Sequence, residues 1–133
     1  MGSPLEHPTV AAIMRQSPLT TTPGELLLTA QTVMRREGIR QLPVIENGTL
    51  VGMLSERDLH QHEGYLERTK VDAAMTSQLI TVAPTATAQE VAQLLIDKKI
   101  NALPVVDGDR LLGIVSKTDL LRLLINLLEE HPR

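Results

Sequence analysis

The sequence has no cysteine, no phenylalanine and no tryptophan, and Tyr65 is its single aromatic residue. Without cysteine no disulfide framework holds the fold, and cysteine usage says nothing of the redox compartment. A chain of 133 residues has no need of such a staple, since that length buries roughly 68–70% of the unfolded surface. Without aromatic rings the core has to be built from Leu, Ile, Val, Met and Ala, and any bound nucleobase has to lie between aliphatic side chains. The stacking platforms of single-stranded nucleic-acid binders are therefore missing. A formal net charge of −3 also removes the basic surface that a nucleic-acid partner asks for. No apolar run reaches the roughly eighteen residues of a membrane span. Met1–His7 has neither the basic nor the apolar region of a signal peptide. These absences predict a soluble, cytoplasmic protein with no nucleic-acid and no membrane partner.

What is present occurs twice. The stretch Ile39-Arg-Gln-Leu-Pro43-Val, followed by Gly52-Met-Leu-Ser55-Glu-Arg-Asp58-Leu59, returns as Ile100-Asn-Ala-Leu-Pro104-Val and Gly113-Ile-Val-Ser116-Lys-Thr-Asp119-Leu120. The shift is a constant 61 residues, and it also superposes Val10 on Val71, Met14 on Met75, Thr20 on Thr81 and Pro23 on Pro84. An ungapped repeat of this length is one structural unit used twice.

Within each copy the punctuation predicts the elements. Val10–Arg15 and Val71–Met75 read as short helical turns, and Ser17–Pro23 and Leu79–Val82 as short extended lead-ins. Residues 1–9, polar and with two prolines, read as an arm. Thr22-Pro23-Gly24-Glu25 fits a helix start with Thr22 as N-cap, and Leu27, Ala30, Val33 and Met34 make that helix's inward stripe up to Gly38. In the second copy Thr87-Ala-Gln-Glu90 is the capping box of a helix over 87–99. Asn47-Gly48 between two apolar runs predicts a hairpin with a type I′ turn. In the second copy the turn is placed at Asp107-Gly108, one position early against the repeat. Gly52 inside a strand implies a bulge or a close backbone approach. Helices follow from Ser55 to about Glu63 and from Lys117 to about Glu129. The last one, with Leu120, Leu121, Leu123, Leu124, Ile125, Leu127 and Leu128, has little polar face and asks to be covered.

The repeated Leu-Pro-Val and Gly-x-x-Ser-x-x-Asp-Leu elements resemble the CBS domain, the family named from cystathionine β-synthase, in its tandem arrangement. The resemblance covers about residues 10–129, with repeat 1 at 10–63 and repeat 2 at 71–129. It implies an α/β fold of two β-α-β-β-α half-units packed as a pseudo-twofold pair, which regulates rather than catalyses. It further implies clefts between the halves that bind adenosine compounds: AMP, ADP, ATP, S-adenosylmethionine or NAD. In the family the Asp closing Ser-x-x-Asp holds the ribose and the preceding Ser/Thr lie near phosphate, with main chain of the other half beside the base. Carried over, Ser116, Thr118 and Asp119 go with Ile39, Arg40 and Gln41, and Ser55, Arg57 and Asp58 with Ile100, Asn101 and Ala102. Thr20 and Thr81 in the lead-ins border the same clefts. CBS pairs also associate as dimers, so the last helix is expected in a homodimer contact.

The residues themselves allow this chemistry and a plainer one. An ionised Asp is an acceptor that two ribose hydroxyls can share, a helix N-terminus attracts phosphate, and Arg40 and Arg57 can pair with phosphate oxygens. Equally, Ser55–Asp58 and Ser116–Asp119 can be capping boxes with no ligand at all, each stabilising its helix by about 0.5–2 kcal/mol. His60 and His62, two apart on a helix, do not share a face and predict no metal site. Met14, Met34, Met53 and Met75 fall on apolar stripes and read as core filling. No serine has the partners of a nucleophilic triad. The reading is therefore a regulatory nucleotide-sensing module, not an enzyme and with no required cofactor, acting on a regulated protein partner. The alternative is an interaction module with vestigial clefts that docks a partner through its apolar last helix.

Overall fold

The computed structural model describes residues 8–130; the proposed arm is outside them up to residue 7. The fold is α/β, with helices against two antiparallel sheets. The chain divides into two compact units. One is Pro18–Leu79, contiguous in sequence; the other joins the segment ending at Ser17 to the chain from Ile80 onward.

The contiguous unit contains α2 (Leu27–Glu37), the hairpin of β2 (Gln41–Glu46) and β3 (Thr49–Ser55), α3 (Glu56–Gln61), a short 3₁₀ turn at Leu66–Arg68 and α4 (Val71–Ala74). The hairpin turns at Asn47-Gly48, both with positive φ (52° and 81°), as a type I′ turn requires. The inward stripe of α2 packs with Leu42, Val44, Leu54, Leu59 and Val71 into one aliphatic core. Each such side chain, fully buried, contributes about 1.5–3 kcal/mol.

The split unit contains α1 (Val10–Ile13), β1 (Arg15–Gln16), α5 (Ala88–Lys98), β4 (Ala102–Asp107), β5 (Arg110–Ser116) and α6 (Lys117–Glu130). Its sheet runs β1-β5-β4, over a core of Val10, Val82, Val91, Leu95, Leu103, Val105 and Val115. Thr87 and Glu90 form the expected capping box at the start of α5.

The two units are cut from the sequence differently from the two repeats. Each repeat's opening segment closes the unit built on the other repeat's hairpin. Val10 N–H donates to Ala86 O and Val71 N–H to Glu25 O, both at 2.8 Å; Ala88 N–H reaches Pro8 O and Leu27 N–H reaches Thr69 O. Arg15 pairs with Ile114 at the edge of β5, and Thr76 makes the matching bridge to Met53. All these pairs obey the 61-residue shift. They also explain the strand glycines. A Cβ on Gly113 would lie 2.6 Å from Arg15 O, and one on Gly52 would lie 2.5 Å from Met75 Sδ and 3.1 Å from Thr76 O. The register of both hairpins also shifts, opposite Val51 between Val44 and Ile45 and opposite Leu112 between Val105 and Val106, as at a bulge.

Three local expectations are corrected. The first long helix begins at Leu27, flanked by Leu26 with no side-chain cap, and not at Thr22. Glu25 N–H instead turns back to Thr22 O, so Thr22-Pro-Gly-Glu is a turn that imitates a helix start. The second hairpin turns at Gly108-Asp109, since Asp107 pairs with Arg110. Only Gly108 there has positive φ (65°), the pattern of a II′ turn with Gly first; the turn thus falls where the repeat puts it. The helix from Ser55 stops at Gln61 rather than Glu63, and Gly64 (φ 93°) lies in the turn beyond it. The lead-ins are extended but reduced to single parallel bridges, Thr21 to Val44 and Val82 to Val105.

Candidate functional site

In the contiguous unit the hairpin register sets Gln41 opposite Ser55, so the first residue of β2 lies beside the start of α3. Glu56 N–H donates to Arg40 O at 2.9 Å and fastens the two together. Thr21 pairs with the backbone of Pro43 and Ile45, which brings Thr20 alongside the start of β2. Thus Thr20, Ile39, Arg40, Gln41, Ser55, Arg57 and Asp58 gather at one end of the hairpin. The split unit repeats this. Ala102 is opposite Ser116, Lys117 N–H donates to Asn101 O at 3.0 Å, and Val82 pairs with the backbone of Pro104 and Val106. Thr81, Ile100, Asn101, Ala102, Ser116, Thr118 and Asp119 form the equivalent end.

Both capping boxes are made. Asp58 Oδ2 accepts from Ser55 N–H at 2.7 Å and from Ser55 Oγ at 2.9 Å, while Ser55 Oγ accepts from Asp58 N–H at 3.2 Å. Asp119 and Ser116 do the same at 2.8, 3.0 and 3.3 Å. The other oxygen of each carboxylate, Oδ1, has no hydrogen bond among the described residues. Capping and an acceptor site therefore coexist on one side chain, one oxygen to each.

The hydroxyls are different. Each serine's single proton is already given to its aspartate, so Ser55 and Ser116 have no proton left for a phosphate. Of the first three N–H groups of α3, that of Glu56 goes to Arg40 O and that of Asp58 to Ser55 Oγ. Arg57 N–H alone is open, as is Thr118 N–H in α6. This narrowing was not visible in the sequence, because it depends on the hairpin register. Arg40 makes a loose ion pair with Glu56 at 3.8 Å, with side chains 88% and 70% exposed, an interaction worth little. Arg57 has no ion pair among the described residues. The split unit has neutral Asn101 and Thr118 at the two positions equivalent to these arginines, so the ends share geometry and differ in charge.

Elsewhere, His62 Nδ1 is 3.0 Å from Asp58 O and His60 pairs with Glu63 at 3.6 Å. Among the described residues no group of three or more His, Cys, Asp or Glu is placed to hold a metal ion. No helix there is long and apolar enough to cross a membrane.

Paired hairpin-and-helix units with these motifs define a family, and the family model for the CBS domain matches residues 10–63 and 71–126. The chain belongs to the CBS domain family, as a tandem pair. It is 32% identical over 104 residues to the CBS domain-containing protein YhcV of Bacillus subtilis, covering 76% of this chain and 74% of that one. Among solved structures, the CBS domain pair of protein MJ0100, in complex with 5′-methylthioadenosine and S-adenosyl-L-methionine, superposes with a TM-score of 0.84 at 25% identity, over 91% of this chain and 98% of that one. CBSX2 in complex with AMP superposes with a TM-score of 0.83 at 26% identity, over 90% and 97%. The chain also matches enzymes of which it spans only about a quarter, homoserine O-acetyltransferase of Methanococcoides burtonii (25%) and inosine-5′-monophosphate dehydrogenase of Korarchaeum cryptofilum (23%).

Proposed function

We propose that this protein is a regulatory, non-catalytic module that binds an adenosine-containing nucleotide and passes the binding on to a protein partner, working as a homodimer. The observation that carries the reading is the open Oδ1 of Asp58 and of Asp119, held at a helix start beside the first residues of a hairpin. A carboxylate fixed by its other oxygen is an oriented acceptor for ribose hydroxyls. Beside it, Arg57 and Thr118 offer an N–H and a side-chain donor to phosphate. The weak ion pair of Arg40 leaves its guanidinium available to a phosphate as well. The adenosine compounds in the two structural neighbours, AMP in one and 5′-methylthioadenosine with S-adenosylmethionine in the other, support the ligand class. AMP, ADP, ATP, S-adenosylmethionine and NAD are the candidates.

Thermal denaturation with each of the five tests this. A ligand at a hundred times its Kd raises stability by about 2.7 kcal/mol, which appears as a clear rise in Tm. No rise with any of them sinks the reading. A second reading, an interaction module whose ligand sites are vestigial, is favoured by one observation: Leu121, Leu124, Ile125 and Leu128 of α6 are 50–60% exposed.

A further inference from the structure

We infer that Asn47 is a site of spontaneous modification, where the side-chain amide closes on the backbone nitrogen of Gly48 and leaves an aspartate or isoaspartate in the first hairpin turn. Such an attack needs an unhindered backbone N–H next to an accessible amide. The chain has three asparagines, followed by Gly48, Ala102 and Leu127. Ala102 opens β4 and Leu127 lies inside α6, so both nitrogens belong to regular structure and have a side chain beside them. Gly48 has none, and beyond its chain neighbours no atom lies within 4 Å of where its Cβ would stand. Asn47 and Gly48 are both exposed. Among the described residues neither the Asn47 amide nor the Gly48 N–H makes a hydrogen bond. The turn is also the tip of a hairpin, an end that opens locally at little cost, so the nitrogen reaches the amide carbon without unfolding of the unit.

The reaction consumes only water. Gly48 N gives up its proton and bonds to Asn47 Cγ, the Cγ–Nδ2 bond breaks, and the departing nitrogen takes up that proton and leaves as ammonia. Water then adds to either carbonyl of the cyclic imide, and nothing is oxidised or reduced. Opening at Cγ leaves aspartate on an intact main chain. Opening at the backbone carbonyl leaves isoaspartate, with the main chain rerouted through the former side chain. Either product adds one negative charge to a formal net of −3. Their structural fates differ. Aspartate accepts the left-handed region that Asn47 occupies at φ 52°, so the turn survives. Isoaspartate adds a methylene to a two-residue loop whose length sets the strand register, so Glu46 and Thr49 lose their pairing. The duplication supplies the contrast. The repeat equivalents of Asn47 and Gly48 are Gly108 and Asp109, in reverse order, so the second turn has no amide to close. Asp107, which precedes Gly108, is a carboxylate whose charge repels the attacking nitrogen. The modification is therefore confined to the contiguous unit, and it stands or falls apart from the ligand reading.

Peptide mapping of the folded protein, aged at physiological temperature and mildly alkaline pH, tests this. Trypsin separates the three asparagines, since cleavage after Arg40, Arg57, Lys99, Arg110 and Arg122 puts them in peptides 41–57, 100–110 and 123–133. Peptide 41–57 should gain the mass of an amide turned into an acid and split into two chromatographic forms. The conversion should quicken as pH rises and release ammonia in step, while the other two peptides stay unchanged. Asn47→Gly keeps residues that suit a type I′ turn, so it should fold like the parent and show no conversion. The isoaspartate-rich fraction should melt at a lower temperature than fresh protein. Three results would overturn the inference: peptide 41–57 unchanged in the folded protein while urea-unfolded chain converts, conversion of 100–110 or 123–133 as fast as 41–57, or an isoaspartate-rich fraction that melts with the parent.

Discussion

Asp58 Oδ2 takes both hydrogen bonds that Ser55 can give, from its N–H at 2.7 Å and from its hydroxyl at 2.9 Å. Replacing Asp58 or Asp119 by Asn keeps an oxygen able to accept one of these bonds and removes the charge from the open side. The fold of each variant is therefore expected to survive with a small loss of stability. Affinity for the adenosine ligand is expected to fall by about 1.5–3 kcal/mol per charge-assisted hydrogen bond lost. Calorimetry on the parent and both variants measures this; if all three bind alike, the acids are caps and nothing more.

At least one site is expected to bind a phosphorylated adenosine more tightly than adenosine itself. Arg57→Ala should cut affinity for AMP or ATP several-fold and leave adenosine binding nearly unchanged. Titration with the nucleotide and the nucleoside side by side reads the difference. Equal losses for both would show that Arg57 acts on something other than phosphate.

Gly52→Ala and Gly113→Ala should both destabilise, and not equally. The new methyl at Gly113 meets a backbone oxygen at 2.6 Å, whereas at Gly52 the nearest atoms are the flexible end of Met75 and the backbone oxygen is 3.1 Å away. Overpacking of this kind costs about 1–3 kcal/mol, with Gly113→Ala at the upper end or beyond. Urea denaturation of the two variants ranks them, and a reversed order contradicts the packing described for the opening segments.

The two long helices end alike in geometry but not in residue. Gly38 has φ 65° and Lys99, its repeat equivalent, has φ 56°. An L-residue in the left-handed region costs about 1–2 kcal/mol, so Lys99→Gly is expected to stabilise the protein by up to that amount. Gly38→Ala should destabilise it similarly. Thermal or urea unfolding of both variants checks the two signs.

Much of this architecture could be read from residue order because its signals are local. Asn47-Gly48 specifies its turn, Thr87 and Glu90 their capping box, and the alternation in 42–54 and 103–115 the hairpins. The exchange of opening segments could not be read. Met14 on Gly113 and Met75 on Gly52 obey the same shift as any pair within one repeat, so periodicity shows that a segment recurs but not which copy it packs on. Thr22-Pro23-Gly24-Glu25 misled for a different reason. Its residues suit a helix start and a turn equally, and the backbone bond from Val71 to Glu25 holds it as the turn. At the candidate sites the aspartates were legible as residues. Which N–H groups stay open was not, because Arg40 O and Asn101 O are brought to the helix starts only by the hairpins.

The exchange of opening segments also fixes an order of events during synthesis. Pro18–Leu79 is complete as soon as Leu79 has emerged, so this unit can close while the rest of the chain is still being made. Val10 and Arg15 are made before that unit, yet their partners Ala86 and Ile114 come far later. At ribosomal speeds of about 5–20 residues per second, roughly 100 residues of delay amount to about 5–20 s. Through that interval Val10, Ile13 and Met14 are an uncovered apolar segment on the nascent chain, so a segment made ahead of both hairpins waits for the second one before it is covered.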